Sequence, residues 1–111
     1  MDTISWEDFQ KVDLRIGTII SVEEFKEAKR PAYKLTVDLG ELGIKKSSAQ
    51  ITQIYKSENL INKQVICVCN FPKKQIANFM SEVLVTGFEN SEGEIVLSTC
   101  DQKLPNGQRL I

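Results

Sequence analysis

Short stretches in which apolar and polar residues alternate recur along this chain, and they restrict its fold more than any other feature. In the clearest stretch, Tyr33–Leu39, every second residue is apolar, which is the period of a β-strand with one buried face. Turn-forming glycine, proline and asparagine residues separate the stretches from one another. The strands predicted in this way cover residues 12–22, 33–39, 44–49, 65–69, 82–86 and 95–99.

Strands of this number and length favour a small closed barrel, because closure removes the edges that an open sheet would expose. A chain of 111 residues is long enough for one domain, which would bury about 65% of the surface that the unfolded chain exposes. We therefore expect an all-β (mainly) fold, a five-stranded barrel with a short N-terminal helix and a C-terminal extension. It would form a single domain over residues 1–111, with its core over about residues 8–111.

The N-terminal segment predicts a short helix. Ser5 can cap this helix, with Asp8 at the third helical position, where its main-chain N–H reaches the Ser5 hydroxyl. Trp6 and Phe9 are three residues apart and therefore share one face of the helix. This face must pack either on its own barrel or on a second copy of the chain.

Three further segments depart from simple strand patterns. Gly17 lies inside the first predicted strand and indicates a bulge or bend, by which a strand turns the corner of a barrel. Residues 50–62 predict one or two short helical turns. Lys73–Asn78 predicts a basic loop between two strands.

The chain contains no histidine, which excludes the Ser-His-Asp and Cys-His catalytic arrangements, and the commonest general base. On an alternating strand Lys45 shares a face with Ser47, and Lys46 with Ser48, as a Ser–Lys nucleophile would require. A catalytic lysine must also be desolvated to lose its proton near neutral pH, and ordinary solvated strand residues explain the same pattern. We therefore expect no catalytic residues and no enzymatic activity.

The chain has three cysteines, Cys67, Cys69 and Cys100. Cys67 and Cys69 point to the same face of a strand, and such a pair can bind a soft metal. A structural zinc site needs about four ligands, and the chain offers only one further cysteine and no histidine. We therefore expect two small core residues, with no metal and no cofactor.

The overall charge of the chain is close to neutral, with a net charge of −1. A general nucleic-acid binder usually carries a strong positive excess, so any contact with nucleic acid must come from a local basic patch. No segment approaches the ~18 consecutive apolar residues of a membrane span, and the acidic N-terminus lacks the pattern of a signal peptide. We therefore expect a cytoplasmic protein that does not insert into membranes.

Two motifs resemble those of a known family. Asp13–Gly17 resembles the D-x-R-(I/V)-G opening of the OB-fold tRNA-binding domain, and Asn70–Lys74 followed by Ser81–Val83 resembles the second motif of that family. Residues 31–35, 43–52 and 62–65 are similar in particular to the CsaA branch, whose members are chaperones associated with protein export. The resemblance covers about residues 6–111. It departs from the family at Asn78, where the family has a glycine, and we expect the turn to survive because asparagine tolerates a positive φ.

The resemblance implies a groove on the side of the barrel that binds the ligand, either a polypeptide or tRNA. The candidate groove residues are Arg15, Lys45, Ser47, Ser48, Asn70, Phe71, Lys73, Lys74, Ser81 and Glu82. Lys73, Lys74, Lys45 and Lys46 would form a local basic patch beside Phe71 and Phe79. The alternative is structural: Arg15 and Glu82 form an ion pair, the serines and Asn70 close turns, and the lysines are solvated beside core phenylalanines.

The resemblance also implies a homodimer, whose two-fold interface the terminal segments build. The candidate interface residues are Trp6, Phe9, Leu110 and Ile111. The implied partners are a second copy of the chain, unfolded or precursor polypeptides, tRNA and the export machinery. The leading hypothesis is a chaperone that binds unfolded or precursor polypeptides for export, and the alternative is a tRNA-binding protein that uses the same groove.

Overall fold

Nine β-strands, two short α-helices and a 3-10 turn make up the chain, and the structure, a computed structural model, describes all of residues 1–111. The helices are α1 (Trp6–Gln10) and α2 (Ser57–Leu60), and the 3-10 turn covers Gly40–Leu42. The strands are β1 (Leu14–Glu24), β2 (Tyr33–Asp38), β3 (Ile44–Ala49), β4 (Gln64–Val68), β5 (Lys74–Ile76), β6 (Phe79–Ser81), β7 (Leu84–Val85), β8 (Gly87–Glu89) and β9 (Ile95–Leu97). None of the helices is long and apolar enough to cross a membrane.

Five of the strands form one antiparallel sheet in the order β3-β2-β1-β4-β7, which curls into a nearly closed barrel. The first and last strands meet at Lys46, whose carbonyl accepts hydrogen bonds from the N–H of Glu82 at 2.7 Å and of Val83 at 3.4 Å. Two hairpins, β5–β6 and β8–β9, extend from the barrel. The prediction of a mainly β, five-stranded OB-like barrel with short helices is confirmed.

The core fills the inside of the barrel. β2 supplies its centre, because Tyr33, Leu35 and Val37 alternate with half-buried residues along the strand. Leu60 of α2 is fully buried in the same cluster, so the helical turns predicted for residues 50–62 pack against the barrel. Full burial of a leucine or valine side chain stabilises the fold by about 1.5–3 kcal/mol.

The bulge in β1 lies at Ile20 and not at Gly17, so the bulge predicted at Gly17 is wrong. The register against β2 shifts between Ile19 and Ser21, which turns Ile19 into the core and leaves Ile20 41% exposed. Gly17 instead permits a close approach of β2, because a Cβ atom at this position would lie 2.6 Å from a methyl group of Val37.

Helix α1 is capped as predicted, since Ser5 Oγ accepts the N–H of Asp8 at 3.0 Å. The rings of Trp6 and Phe9 lie together with their centroids 5.6 Å apart. The helix buries none of its residues in the barrel, and it is tied to the C-terminal segment by the Arg109 guanidinium, which donates to the carbonyl of Gln10 at 2.9 Å.

The segment predicted as a basic loop forms most of the β5–β6 hairpin. Lys74 pairs with Ser81 and Ile76 with Phe79, so that a tight turn remains between the two strands. The positive φ of this turn lies at Ala77, with φ 52°, and not at Asn78. The exchange of the family's glycine for Asn78 therefore does not place asparagine in the left-handed region.

Candidate functional site

A groove of about 440 Å³ lies where the edge of β3 meets the β5–β6 hairpin and β7. Its lining residues come from four parts of the chain: Ser48, Gln50, Phe71, Pro72, Lys74, Ile76, Ser81, Glu82, Val83 and Leu84. The apolar walls are open to solvent, since Phe71 is 56% exposed and Leu84 47% exposed. Exposure of these apolar side chains to water does not stabilise an isolated chain. They are therefore suited to contact a ligand.

The polar part of the groove lies over the seam of the barrel. Here the side chains of Ser81 and Glu82 form hydrogen bonds with β3 that main-chain groups would form in a regular pair of strands. The N–H of Lys46 donates to Glu82 Oε1 at 3.0 Å, and the N–H of Ser48 donates to Ser81 Oγ at 3.3 Å. The Ser–Glu pair of the motif therefore closes the barrel and lines the groove at the same time.

The charges around the groove balance. Lys73 lies 3.7 Å from the Glu82 carboxylate and keeps 66% of its side chain exposed, and Lys74 is an exposed lining residue. An ion pair as exposed as that of Lys73 contributes at most about 1 kcal/mol. The groove thus combines exposed lysines with a carboxylate held by β3 and does not present a purely cationic surface.

Arg15 lies outside the groove and is occupied within the chain. Its guanidinium donates to Asp13 Oδ1 at 2.8 Å, to Asp13 Oδ2 at 3.3 Å, to Glu41 at 3.3 Å and to the carbonyl of Gly107 at 3.3 Å. The hydrogen bond to Asp13 is the main reason why the pKa of Arg15 is raised above its ordinary value. Its side chain is only 14% exposed, and it ties the start of β1 to the C-terminal turn.

Asn70 has a comparable role at the end of β4. Its amide oxygen accepts the N–H of Asp13 at 2.9 Å, and its amide nitrogen donates to the carbonyl of Lys11 at 2.6 Å. The N–H of Cys69 adds a bond of 2.7 Å to the carbonyl of Asp13. Asn70 therefore positions the chain between α1 and β1, away from the groove lining.

Ser47 and Lys45 lie on the inner face of β3 and not in the groove. Ser47 is fully buried, and its hydroxyl has no hydrogen-bond partner. A nucleophilic serine needs a base within hydrogen-bonding distance, so this hydroxyl is not activated. Lys45 lies opposite Val37 on β2 and is half-buried.

The structure thus brings together six of the predicted groove residues, with five in the lining and Lys73 beside it. These six are Ser48, Phe71, Lys73, Lys74, Ser81 and Glu82. The structural alternative describes Phe79 correctly, since this ring is 9% exposed and packs against Phe25 and Ala32. The Arg15–Glu82 ion pair of that alternative is not formed. Arg15 pairs with Asp13 and Glu41, and Glu82 pairs with Lys73.

Sequence reasoning missed five lining residues: Gln50, Pro72, Ile76, Val83 and Leu84. Ile76 carried a usable signal, because a lone isoleucine within a basic segment indicates an apolar contact. Pro72 lies inside the second motif and could have been included on that ground.

A second cavity of about 380 Å³ continues the groove beyond Ser48. The two cavities share Ser48, Gln50 and Ile76. The second one runs between the β1–β2 loop and the turn at Ala77. Together they form one continuous cleft along the end of β3.

A separate apolar surface surrounds the two chain ends. A hollow of about 270 Å³ is lined by Trp6, Phe9, Gln10, Val12, Arg109, Leu110 and Ile111, so the four predicted interface residues do lie together. An adjoining hollow of about 180 Å³ shares Leu110 and Ile111 and adds Ile66 and Cys100. Trp6 is 62% exposed and Leu110 50% exposed.

The cysteine pair belongs to the core. Burial raises the pKa of the Cys67 thiol to about 12, with a smaller contribution from Cys69. Burial is also the main reason why the pKa of Cys69 is raised, and the charge of Asp13 adds to it. Both thiols therefore stay protonated near neutral pH, and a protonated thiol is a poor metal ligand and nucleophile.

Residues 14–109 match the family described as “Putative tRNA binding domain”. The chain belongs to this family. Within it, the chain is similar to the chaperone CsaA of Bacillus anthracis str. Ames, with 50% identity, 99% of this chain and 100% of that chain covered, and a TM-score of 0.93. It is equally similar to the CsaA chaperone protein of Picrophilus torridus, with 51% identity, 98% and 100% coverage, and a TM-score of 0.91.

These matches place the chain among the CsaA homologues of the tRNA-binding domain family. The expectation that the chain is not an enzyme agrees with these relatives, both of which are described as chaperones. The domain also occurs in larger proteins: the chain is 31% identical to methionine--tRNA ligase of Methanocaldococcus jannaschii, covering 99% of this chain but only 17% of the ligase. It spans a similarly small part, 15%, of the ligase of Bdellovibrio bacteriovorus, at 34% identity.

Proposed function

We propose that this CsaA homologue is a cytoplasmic chaperone that holds unfolded or precursor polypeptides in the groove, so that they remain competent for export. The observation that carries this proposal is the combination of solvent-exposed apolar walls, at Phe71 and Leu84, with a polar seam at Ser81 and Glu82. An unfolded polypeptide exposes both apolar side chains and main-chain polar groups, and this groove is complementary to both.

The mechanism follows from the chemistry of the lining. Apolar side chains of the client replace water on Phe71, Ile76 and Leu84, while Ser48, Ser81 and Gln50 exchange hydrogen bonds with its main chain. Burying about 60 Å² of apolar client surface stabilises the complex by roughly 1.5 kcal/mol, so binding at one groove is weak and reversible. Such contacts slow aggregation without committing the client to the chaperone.

The test is the suppression of aggregation of a chemically denatured enzyme, measured by light scattering at increasing chaperone concentration. We expect wild type to suppress aggregation and Phe71→Ser to need about tenfold more protein. Phe88→Ser is the matched control, because Phe88 is 75% exposed on the β8–β9 hairpin and does not line the groove. Equal loss in both variants, or no suppression by wild type, would contradict the proposal.

A second candidate function, binding of tRNA in the same groove, is supported by the family match over residues 14–109. Lys73 and Lys74 could then contact phosphates. Each neutralised phosphate would contribute a slope of about −0.7 to −0.9 to the dependence of log affinity on log salt. A salt series with tRNA should therefore show a slope of about −1.4 to −1.8 that falls towards zero in the double variant Lys73→Ala with Lys74→Ala. The matched control is Lys103→Ala, an exposed lysine outside the groove. No tRNA binding at about 50 mM salt removes this candidate.

We also propose that the apolar surface at the chain ends is the interface of a homodimer, with Trp6, Phe9, Leu110 and Ile111 at its centre. A two-fold interface would bury these side chains from both copies at once. A dimer would also present two grooves to one long client and so raise the overall affinity. Sedimentation should give twice the chain mass of 12.6 kDa for wild type and a monomer for Leu110→Asp. A monomeric wild type at micromolar concentration would contradict this assignment.

A further inference from the structure

The outer edge of β3 loses its main-chain partners stepwise along the groove. At Lys46 the barrel is closed, since the Lys46 carbonyl accepts the N–H of Glu82 at 2.7 Å and its own N–H donates to the Glu82 carboxylate at 3.0 Å. At Ser48 the N–H has only the Ser81 hydroxyl, at 3.3 Å. At Gln50, just after the strand, the N–H forms no hydrogen bond within the chain.

From Ser48 onwards this gradient leaves the edge of β3 without main-chain partners inside the groove. The bond from Ser48 to Ser81 is longer than the usual N–H···O distance of about 2.9–3.0 Å, so it is readily exchanged for a better acceptor. Lys46 and Ser48 direct their N–H groups to the same side of β3, because these groups alternate along a strand, and continuing the alternation by one residue places the N–H of Gln50 there too. Ser48 and Gln50 both line the groove.

We propose that an extended polypeptide binds in this groove as an added β-strand on the edge of β3, pairing with the main chain of Ser48 and Gln50. A carbonyl of the client replaces the Ser81 hydroxyl as acceptor for Ser48, and another accepts the N–H of Gln50. The bonds between Lys46 and Glu82 stay in place and keep the barrel closed. This inference rests on the proposed chaperone function and identifies the client's main chain as the part that is recognised.

Strand addition agrees with the rest of the groove. Every polypeptide carries the same main-chain groups, so pairing with β3 accepts clients of any sequence. Alternate side chains of an added strand point to one side, where the apolar walls at Phe71 and Ile76 can contact them. The second cavity continues the cleft past Gln50, so the added strand has room to extend. RNA has no N–H and carbonyl groups at this spacing, and the edge therefore selects polypeptides.

The test uses a peptide of about nine residues, acetylated and amidated at its ends, with serine and threonine around one central phenylalanine. Two further versions carry N-methyl groups at every second position, one on the odd and one on the even residues. In an added strand, the N–H groups of the odd and the even residues point to opposite edges. While the phenylalanine lies against the apolar wall, only one of these edges can pair with β3, so only one methylated version should lose this pairing. Affinities for the wild-type protein are measured by isothermal titration calorimetry.

We expect the unmodified peptide and one methylated version to bind alike, and the other version to bind at least about tenfold more weakly. Equal affinities of the two methylated versions, whether both strong or both weak, would overturn strand addition while leaving the chaperone function in place. No binding of the unmodified peptide, together with no suppression of aggregation, would instead contradict the proposed function itself. Competition of the peptide by tRNA without any effect of methylation would favour the RNA candidate.

A pair of protein variants gives an independent check. Gln50→Pro removes the main-chain N–H at position 50, whereas Gln50→Ala removes only the side chain. We expect Gln50→Pro to weaken the unmodified peptide about tenfold and Gln50→Ala, which keeps the main-chain N–H, to weaken it clearly less. Urea unfolding shows whether Gln50→Pro is folded; equal binding by a folded Gln50→Pro variant would contradict the proposal. If the Gln50→Pro variant does not fold, the affinities of the two methylated peptides alone test strand addition.

Discussion

Substitution of Asn70 tests whether this motif residue stabilises the fold or binds the ligand. Asn70 belongs to the family motif but lies away from the groove lining. Asn70→Ala removes two hydrogen bonds, one from the N–H of Asp13 at 2.9 Å and one to the carbonyl of Lys11 at 2.6 Å. Each bond contributes about 1 kcal/mol, and both groups remain partly accessible to water. We therefore expect the free energy of unfolding to fall by about 2 kcal/mol.

The assay is urea unfolding followed by fluorescence of Trp6, together with affinity for the unmodified peptide under conditions where the variant is folded. Peptide affinity should stay within about twofold of wild type, because no groove contact is lost. Asn78→Ala is the matched control, an exposed asparagine whose side chain forms no hydrogen bond in the chain, and it should change stability by less than about 0.5 kcal/mol. Unchanged stability of Asn70→Ala together with lost peptide affinity would refute this reasoning.

Four further substitutions test the fold, each by urea unfolding. Ser47→Ala removes a fully buried hydroxyl without a partner and should raise stability by about 1 kcal/mol; a loss would mean that the hydroxyl has a partner. Ala77→Gly should raise stability by about 0.5 kcal/mol, because relief of the positive φ at Ala77 outweighs the entropy of glycine. Asn78→Gly should lower stability by a similar amount. If both glycine variants changed stability in the same direction, Ala77 would not be the source of the strain. Because burial raises the folded-state pKa of Cys67 from 9.0 to about 12, its thiol ionises first in the unfolded chain, and stability is lost as the pH rises above 9. Wild type should thus lose roughly 1.4 kcal/mol more than Cys67→Ala between about pH 8 and about pH 10, and an equal loss in the two proteins would contradict this.

The sequence predicts the barrel well where one pattern dominates. β2 is found within a residue of its predicted bounds, because its alternation between core and surface has only one register that buries the apolar face. In β1 alternation alone does not assign a face to Ile19 and Ile20, since two adjacent isoleucines fit either face. Only the packing against β2 decides which of them enters the core.

The site is predicted less completely, and for a physical reason. Motifs identify polar residues but not the partners that these residues meet across the fold. Arg15 and Asn70 both stand in the motifs, yet their partners at Gly107 and Lys11 are 92 and 59 residues away in sequence. Ser81 and Glu82 lie in the groove because they close the seam against β3, a contact that no local pattern encodes.

Hydrogen exchange of the main-chain amides, with and without a bound denatured client, tests most directly whether the groove along β3 holds the polypeptide. The account predicts slower exchange at residues 48–50 and across the β5–β6 hairpin on binding, with no change in the β8–β9 hairpin. Slower exchange confined to β8–β9, or none along the edge of β3, would contradict it.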